Sequence, residues 1–236
     1  MKLPISLKLE EGAVFLADSH VNSKNRLHFE RALNFFERES PPQIFWMGDI
    51  FDLLIGGLQS SLREHSELIE KMEALAKVSD SFYLEGNHDF FLGTVFKSVK
   101  TVPRTDQPLM LELGDRRAAL LHGDLWTTKS YEIYITLLQK RFVTKGVLWL
   151  NELLNDAIAE AIRKYTLSKK ICKKIDNFDK IVKDRLKKIE ADTIIEGHFH
   201  QGVSLGGERE YYNLPSFACD RSIGVWSGSR LDFVKV

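Results

Sequence analysis

Three features of the chain predict an α/β fold. Short apolar runs of strand length recur at residues 13–17, 44–47, 82–84, 118–121 and 193–195. Stretches with apolar residues at helical spacing separate the first three of them, as βαβ units require. A polar motif stands just after each run: Asp18-Ser19-His20, Gly48-Asp49-Ile50-Phe51-Asp52, Gly86-Asn87-His88-Asp89, His122-Gly123-Asp124 and Gly197-His198-Phe199-His200. Polar side chains thus gather beyond the ends of buried strands, where open α/β sheets place their active sites.

The strand at 13–17 leads through a polar Asn22-Ser23 start into a helix over 27–39, with Leu33 and Phe36 on its apolar side. After the strand at 44–47, Leu68, Ile69, Met72, Leu75 and Ala76 form one stripe of a helix over 62–78. The strand at 82–84 completes the alternation. Beyond Pro103 the pattern turns to β, with 109–113, a Gly114-Asp115 turn and 117–121 reading as a hairpin. Tyr131, Tyr134, Leu138 and Phe142 then share one predicted helix, and Leu150, Leu153, Leu154, Ala157, Ile158, Ala161, Ile162 and Tyr165 continue at helical spacing. From Arg163 to Lys188 eleven Lys or Arg stand against three Asp. The strand at 193–195 follows, and Gly206-Gly207 sits between two short runs as a C-terminal hairpin. No internal repeat or low-complexity linker interrupts the chain.

With 236 residues and 44% hydrophobic content, the chain can fill one sizeable core, so a single domain over 1–236 is expected, with 126–188 as a helical insertion. The net charge of zero argues against a globally electrostatic nucleic-acid binder, and no obligate protein partner is inferred. Cys172 and Cys219 are too few and too widely spaced to form a disulfide framework, which makes a reducing cytosol the default. Residues 1–12 lack the apolar stretch of a signal peptide, and no run approaches the roughly 20 residues that span a bilayer.

The motifs carry metal chemistry. Side chains at i and i+2 of an extended segment point to the same side, so Asp18 and His20 can reach one ion, and His198 and His200 can also converge. Asp49 has two carboxylate oxygens and can bridge two ions, while Asn87 offers a carbonyl oxygen and His122 a ring nitrogen. This mixed oxygen and nitrogen set without thiolate suits manganese, iron or zinc. Two such ions roughly 3.5–4 Å apart clamp an in-line displacement at phosphorus. Each motif alone is commonly a turn or a cap. Five in this order, each after a strand-like run and together holding five of the seven histidines, are not explained that way.

The ordered set Asp-x-His, Gly-Asp-x-x-Asp, Gly-Asn-His-Asp, His-Gly-Asp and Gly-His-x-His, running from Asp18 to His200, resembles the calcineurin-like metallophosphoesterase superfamily. The resemblance implies an αββα sandwich of two mixed sheets flanked by helices. It places Asp18, His20, Asp49 and His200 on one ion, and Asp49, Asn87, His122 and His198 on the other. It also puts His88 beside the scissile phosphate, oriented by Asp52, and leaves Asp89 and Asp124 to support loops. Manganese is the ion expected first.

Leu-Leu-Ile-Gly-Gly after Asp52, Phe90-Phe91-Leu92-Gly93 after Asp89, and Thr128 with a helix after His122-Gly123-Asp124 look like one subfamily, the UDP-2,3-diacylglucosamine pyrophosphatases of lipid A synthesis. Those enzymes carry a helical insertion at this point that shelters acyl chains, which would give Thr128, Tyr134, Leu138, Trp149 and Leu153 substrate contacts here. The best-known branch has Arg where this chain has His88, and an acidic residue where it has Lys129. The implied reaction releases UMP and 2,3-diacylglucosamine 1-phosphate. The basic, amphipathic insertion would rest on anionic lipid, placing the protein in the cytoplasm on the inner face of the inner membrane. An ordinary helical subdomain with solvated lysines reads equally well from the same residues. A phosphoesterase acting on a soluble nucleotide or phosphoprotein, and a scaffold without catalysis, are the other readings.

Overall fold

The computed structural model describes residues 7–236, so the first six residues of the N-terminal stretch read above lie outside the described residues. The first half contains β1 (Val14–Leu16), α1 (Arg26–Glu39), β2 (Gln43–Trp46), β3 (Leu54–Ile55), α2 (Gln59–Glu64), α3 (Ser66–Leu75) and β4 (Asp80–Leu84). Then come β5 (Asp89–Phe90), β6 (Lys100–Val102), β7 (Leu109–Leu113) and β8 (Arg116–Leu121). Between β8 and the next strand, the stretch expected as an insertion folds as α4 (Lys129–Leu138), α5 (Arg141–Leu153), α6 (Ala157–Ser168) and α7 (Phe178–Lys188). The chain closes with β9 (Thr193–Glu196), β10 (Val203–Leu205), β11 (Glu210–Asn213), α8 (Phe217–Asp220), β12 (Ser222–Trp226) and β13 (Leu231–Lys235).

Alternation along the strands builds the layers. One sheet has the order β13-β12-β1-β2-β4-β6 and the other β10-β11-β9-β8-β7. Parallel pairing aligns Phe15 with Phe45 and Phe45 with Phe82 in the first sheet, and Leu120 with Ile195 in the second. These side chains face inward and pack together between the sheets. Phe15, Phe45 and Phe82 stack with ring centroids 4.8 and 5.3 Å apart. Their strand neighbours point the other way: Val14, Leu16, Ile44, Trp46 and Tyr83 pack with α1 and α3 through Phe29, Leu33, Phe36, Leu68 and Met72. On the second sheet Ala119, Leu121, Ile194 and Tyr211 pack with Phe178 and Val182 of α7. Period-2 strands buried on both faces therefore give helix, sheet, sheet, helix, the expected αββα sandwich.

Three sequence expectations are corrected. The helix read over 62–78 is two helices, α2 and α3, because His65 leaves helical geometry at φ −104°, ψ 8°. Its buried ring packs on Phe51, centroids 4.7 Å apart. The helical stretch of the insertion is also cut: Phe142 belongs to α5 rather than to the helix of Tyr131, and the stripe from Leu150 to Tyr165 breaks at Asn155 and Asp156. These two residues take left-handed conformations at φ 50° and 65°. Asp156 Oδ1 accepts hydrogen bonds there from Asn151 Nδ2 at 2.6 Å and from Ser60 Oγ at 3.0 Å, which docks the turn on α2. Finally, Cys172 and Cys219 are joined by a disulfide across 47 residues of sequence. Neither their number nor their spacing indicated it, because only the folding of residues 169–177 onto α8 brings them together. Among the described residues no helix is long and apolar enough to cross a membrane.

Candidate metal centre

The loops after β1, β2, β4, β8 and β9 meet at one edge of the sandwich. Asp18, His20, Asp49, His198 and His200 all sit at positive φ, between 40° and 62°. Left-handed backbone at non-glycine residues costs about 1–3 kcal/mol each and clusters at functional sites. Backbone hydrogen bonds hold these turns against one another, Asp18 N–H to Gly48 O at 3.1 Å and His20 N–H to Asp49 O at 3.0 Å. Glycine is required beside them: a Cβ on Gly86 would overlap Asp49 Oδ1, and one on Gly48 would overlap the His122 ring.

Two groups of ligand-type atoms result. In Asp18, His20 and His200 they lie within 4.8 Å of one another, and so do those of Asp49, His122 and His198. His200 Nε2 is 3.2 Å from Asp18 Oδ1, and His122 Nε2 is 3.6 Å from Asp49 Oδ1 and 3.4 Å from Asn87 Oδ1. Asp49 turns its other oxygen toward His88 Nε2, 3.9 Å away, and His20, Asp52 and His88 form a third group. All seven residues expected as ligands, His88 expected beside the phosphate and Asp52 expected to orient it are thus brought to one place.

Ring orientation is set by the main chain. His122 Nδ1 bonds Met47 O at 2.9 Å, His200 Nδ1 bonds Ile171 O at 2.7 Å and His88 Nδ1 bonds Asp52 O at 2.9 Å. A ring that donates its Nδ1–H to a carbonyl leaves Nε2 free to ligate or to meet substrate. For His88 this corrects the expected role of Asp52: its backbone carbonyl, not its carboxylate, orients the imidazole. The carboxylate, pushed up to about 6 mainly by burial, lies close to both His20 and His88.

The charges fit divalent cations. Burial pushes His20 down to about 3 and His198 to about 4, so both rings are neutral and available as donors. Asp49, although burial opposes its charge, is held well below the usual carboxylate range, chiefly by His122. Burial also opposes charge on His122, yet Asp49, Asp18 and Asp124 outweigh it and lift this ring to about 9. The carboxylates thus create a negative field at this edge, which suits bound cations. His20 Nδ1 is buried without any hydrogen-bond partner, and Asp18 Oδ1 has only His200 Nε2 beside it. Such atoms are costly unless an ion or water meets them, and the oxygen and nitrogen donor set is one that divalent ions accept.

Asp89 and Asp124 support loops, as expected. Asp89 accepts the N–H groups of Asp49, Ile50 and Gly86 and the hydroxyl of Tyr83. Asp124 accepts from Arg104 Nε at 2.6 Å and Tyr131 Oη at 3.2 Å, and Arg104 also bonds Glu132 at 2.8 Å. This buried set fixes the start of the insertion. The sequence reading missed Arg104 and Arg185, whose guanidinium bonds the carbonyls of Gly123 and Leu125 and approaches Glu196. It also missed Asn213 and Gln107, which hold Gly197 O and His122 N–H at 2.7 Å each. No local motif marks these residues, because their partners are distant in sequence.

The five expected substrate contacts in the insertion are scattered. Thr128 caps α4, its hydroxyl accepting the Tyr131 N–H at 3.3 Å. Tyr134, Trp149 and Leu153 are 61, 66 and 64% exposed. Leu138 packs beside Phe90, Leu53 and Leu148. A cavity of about 470 Å³ instead lies between the core and α5, lined by Phe90, Phe91, Pro103, Leu148, Arg141 and Lys145 among others, and by none of those five.

The chain is 28% identical over 234 residues to a UDP-2,3-diacylglucosamine hydrolase of Haemophilus ducreyi, covering 94% of each chain. It is 26% identical over 198 residues to a UDP-2,3-diacylglucosamine hydrolase of Coxiella burnetii, covering 80% of each. A dimetal phosphatase from Danio rerio shares the fold at 12% identity, with a TM-score of 0.50 over 94% of this chain and 95% of that one. The family model for calcineurin-like phosphoesterases matches residues 13–202, the stretch that runs from β1 through every loop of the site. The fold implies divalent metal ions, and the chain is a metal-dependent hydrolase belonging to the calcineurin-like phosphoesterase family.

Proposed function

We propose that the protein hydrolyses the pyrophosphate of UDP-2,3-diacylglucosamine to UMP and 2,3-diacylglucosamine 1-phosphate in lipid A synthesis. The observation that carries this reading is the pairing of the metal-type site with an insertion rich in exposed apolar side chains. Ile133, Tyr134, Leu137, Phe142, Trp149 and Leu153 are each at least 48% exposed on α4 and α5, and the curated relatives bear the same activity in their names. Asp18, His20, Asp49 and His200 are assigned to one ion, and Asp49, Asn87, His122 and His198 to the other, with manganese as the proposed metal. Divalent ions there supply Lewis acidity and a water acidified toward neutral pH. Among the chain's own groups, Asp52 O keeps the Nδ1 of His88 occupied, so Nε2 is the ring atom left to face a phosphoryl oxygen as charge builds on it.

The cavity beside Phe90 and Phe91 is the proposed shelter for an acyl chain, and Arg141 and Lys145 at its wall suit the anionic part of the substrate. Lipid access would come through the exposed apolar side chains of α4 and α5, with the basic residues from Arg163 onward against anionic headgroups. On this reading the protein works in the cytoplasm, peripheral on the inner face of the inner membrane. Hydrolysis in ¹⁸O-labelled water tests the reaction: attack on the uridyl-side phosphorus puts the label in UMP. Label in the lipid phosphate, or no hydrolysis of this substrate, would refute it.

A further inference from the structure

Residues 169–177 reach from α6 across to the site. Ile171 O accepts the Nδ1–H of His200, which leaves Nε2 facing Asp18 Oδ1. Lys174 Nζ donates to the carbonyls of His200 and Gln201 at 3.0 and 2.7 Å, and Ile175 N–H donates to Gln201 Oε1 at 2.9 Å. On the opposite side α8 buttresses Asp18. Ser216 Oγ donates to Asp18 O at 2.8 Å, Ala218 N–H donates to the same oxygen at 3.2 Å, and Phe217 N–H donates to Ala17 O at 2.9 Å. Cys172 directly follows Ile171, and Cys219 directly follows Ala218; their disulfide joins the two backbones at a Cα separation of 5.6 Å. One covalent bond therefore ties the peptide that orients His200 to the peptide that supports Asp18.

We propose that the Cys172–Cys219 pair is a reversible thiol clamp on this half of the metal site, closed when oxidised and loosened by a dithiol reductant. The proposal rests on reading Asp18 and His200 as ligands of one ion. Cys172 is exposed, and residues 169–177 form no helix or strand, so the bond is open to attack, and apart from it the segment is held to the site by the hydrogen bonds of Ile171, Lys174 and Ile175. Lys169, Lys170, Lys173 and Lys174 surround Cys172 in sequence, and a cationic neighbourhood stabilises a thiolate and favours thiol exchange. Disulfides in a reducing compartment are usually transient and redox-sensing. In the opening step a thiolate of the dithiol attacks one sulfur, and its second thiol resolves the mixed disulfide. Two electrons and two protons pass to the protein, which leaves with two thiols while the reductant leaves as a disulfide. Ile171 is then released to move, and His200 loses its fixed partner. Partners in that position are commonly worth about 10–100-fold in metal affinity.

The test titrates manganese into chelator-stripped full-length protein, oxidised or treated with a phosphine reductant, and reads free ion by electron paramagnetic resonance. Reduction should weaken one of two ions about tenfold and leave the other unchanged, with faster amide exchange over 169–177. The double variant Cys172→Ser, Cys219→Ser should match the reduced protein and ignore the reductant; the reduced wild type serves the same purpose if that variant does not fold. Equal affinity for both ions in the two redox states, or two free thiols in the air-oxidised protein, would overturn the clamp while leaving the ligand reading intact. Oxidised protein that binds no manganese would overturn the ligand reading and the clamp with it.

Discussion

The carboxylate of Asp89 holds the backbone of Asp49: its Oδ1 accepts the Asp49 N–H at 3.0 Å. The same carboxylate takes the N–H groups of Ile50 and Gly86 and the Tyr83 hydroxyl. The last residue of the Gly-Asn-His-Asp motif therefore fixes the residue proposed to bridge both ions. Asp49→Asn should remove most bound metal and nearly all turnover while leaving the fold intact. Asp89→Ala should lose metal as well, and should also lower stability by about 1–3 kcal/mol for each donor left unpaired. Elemental analysis with thermal unfolding separates the two. Two ions per chain and normal activity in Asp49→Asn would contradict the bridging role.

His88→Ala is expected to keep its metal and lose on the order of 10²–10⁴ in rate, the range for a positioned acid or base. The imidazole is anchored by a backbone carbonyl, so Asp52→Asn should disturb its orientation far less than removal of the ring. Metal content and turnover, measured on the same preparations, distinguish a transition-state role from ligation. Parallel loss of metal in His88→Ala would make the residue a ligand.

His65 gives a pH signature away from the ligands. Burial, with Arg163 and Arg26 nearby, pushes its ring down from 6.5 to about 4. The unfolded chain therefore binds this proton through a window, about pH 6.5 down to 4, in which the folded chain does not, and acidification there favours unfolding. The stability at stake is about 3 kcal/mol. His65→Leu removes the titration, so the variant should gain on the wild type as pH falls from 7 to 4 in chelator-treated samples. Parallel urea-unfolding curves for the two proteins across that range would rule the assignment out.

Arg104 is 6% exposed and its partner Asp124 is fully buried. Breaking a buried ion pair by removing one partner costs about 3–5 kcal/mol, so Arg104→Ala should lower stability by that amount. Because Asp124 lies two residues from His122 and also holds Tyr131 of α4, activity should fall with it. A denaturation midpoint within about 1 kcal/mol of wild type would show that the ion pair does not anchor the insertion.

Much of this structure was legible where physical chemistry is local. Phe15, Phe45, Phe82, Leu120 and Ile195 announced five strands through short apolar runs, and the residues following them were readable as donors from their chemistry and order. The extended backbone expected of them is replaced by left-handed turns at Asp18, His20, His198 and His200, which send His198 and His200 to different groups. What was not legible depends on distant partners. Nothing near His88 in sequence says that Asp52 would hold it by a carbonyl rather than a carboxylate. The stripe from Leu150 to Tyr165 keeps helical spacing through Asn155 and Asp156, and the break comes from side-chain bonds to Asn151 and Ser60. The pairing of Cys172 with Cys219, and the burial of Arg104 and Arg185, arise only once the insertion folds back on the core.

Side-by-side hydrolysis of a UDP-linked diacyl sugar and of UDP-glucose, at equal concentration with manganese, decides whether the protein acts on a lipid substrate. Each methylene taken out of water contributes about 0.8 kcal/mol, so the lipid substrate should be cleaved with far higher kcat/KM. The advantage should shrink steeply as the acyl chains are shortened. Equal efficiency on the two substrates would contradict the lipid assignment and leave the protein a phosphoesterase whose insertion serves some other purpose.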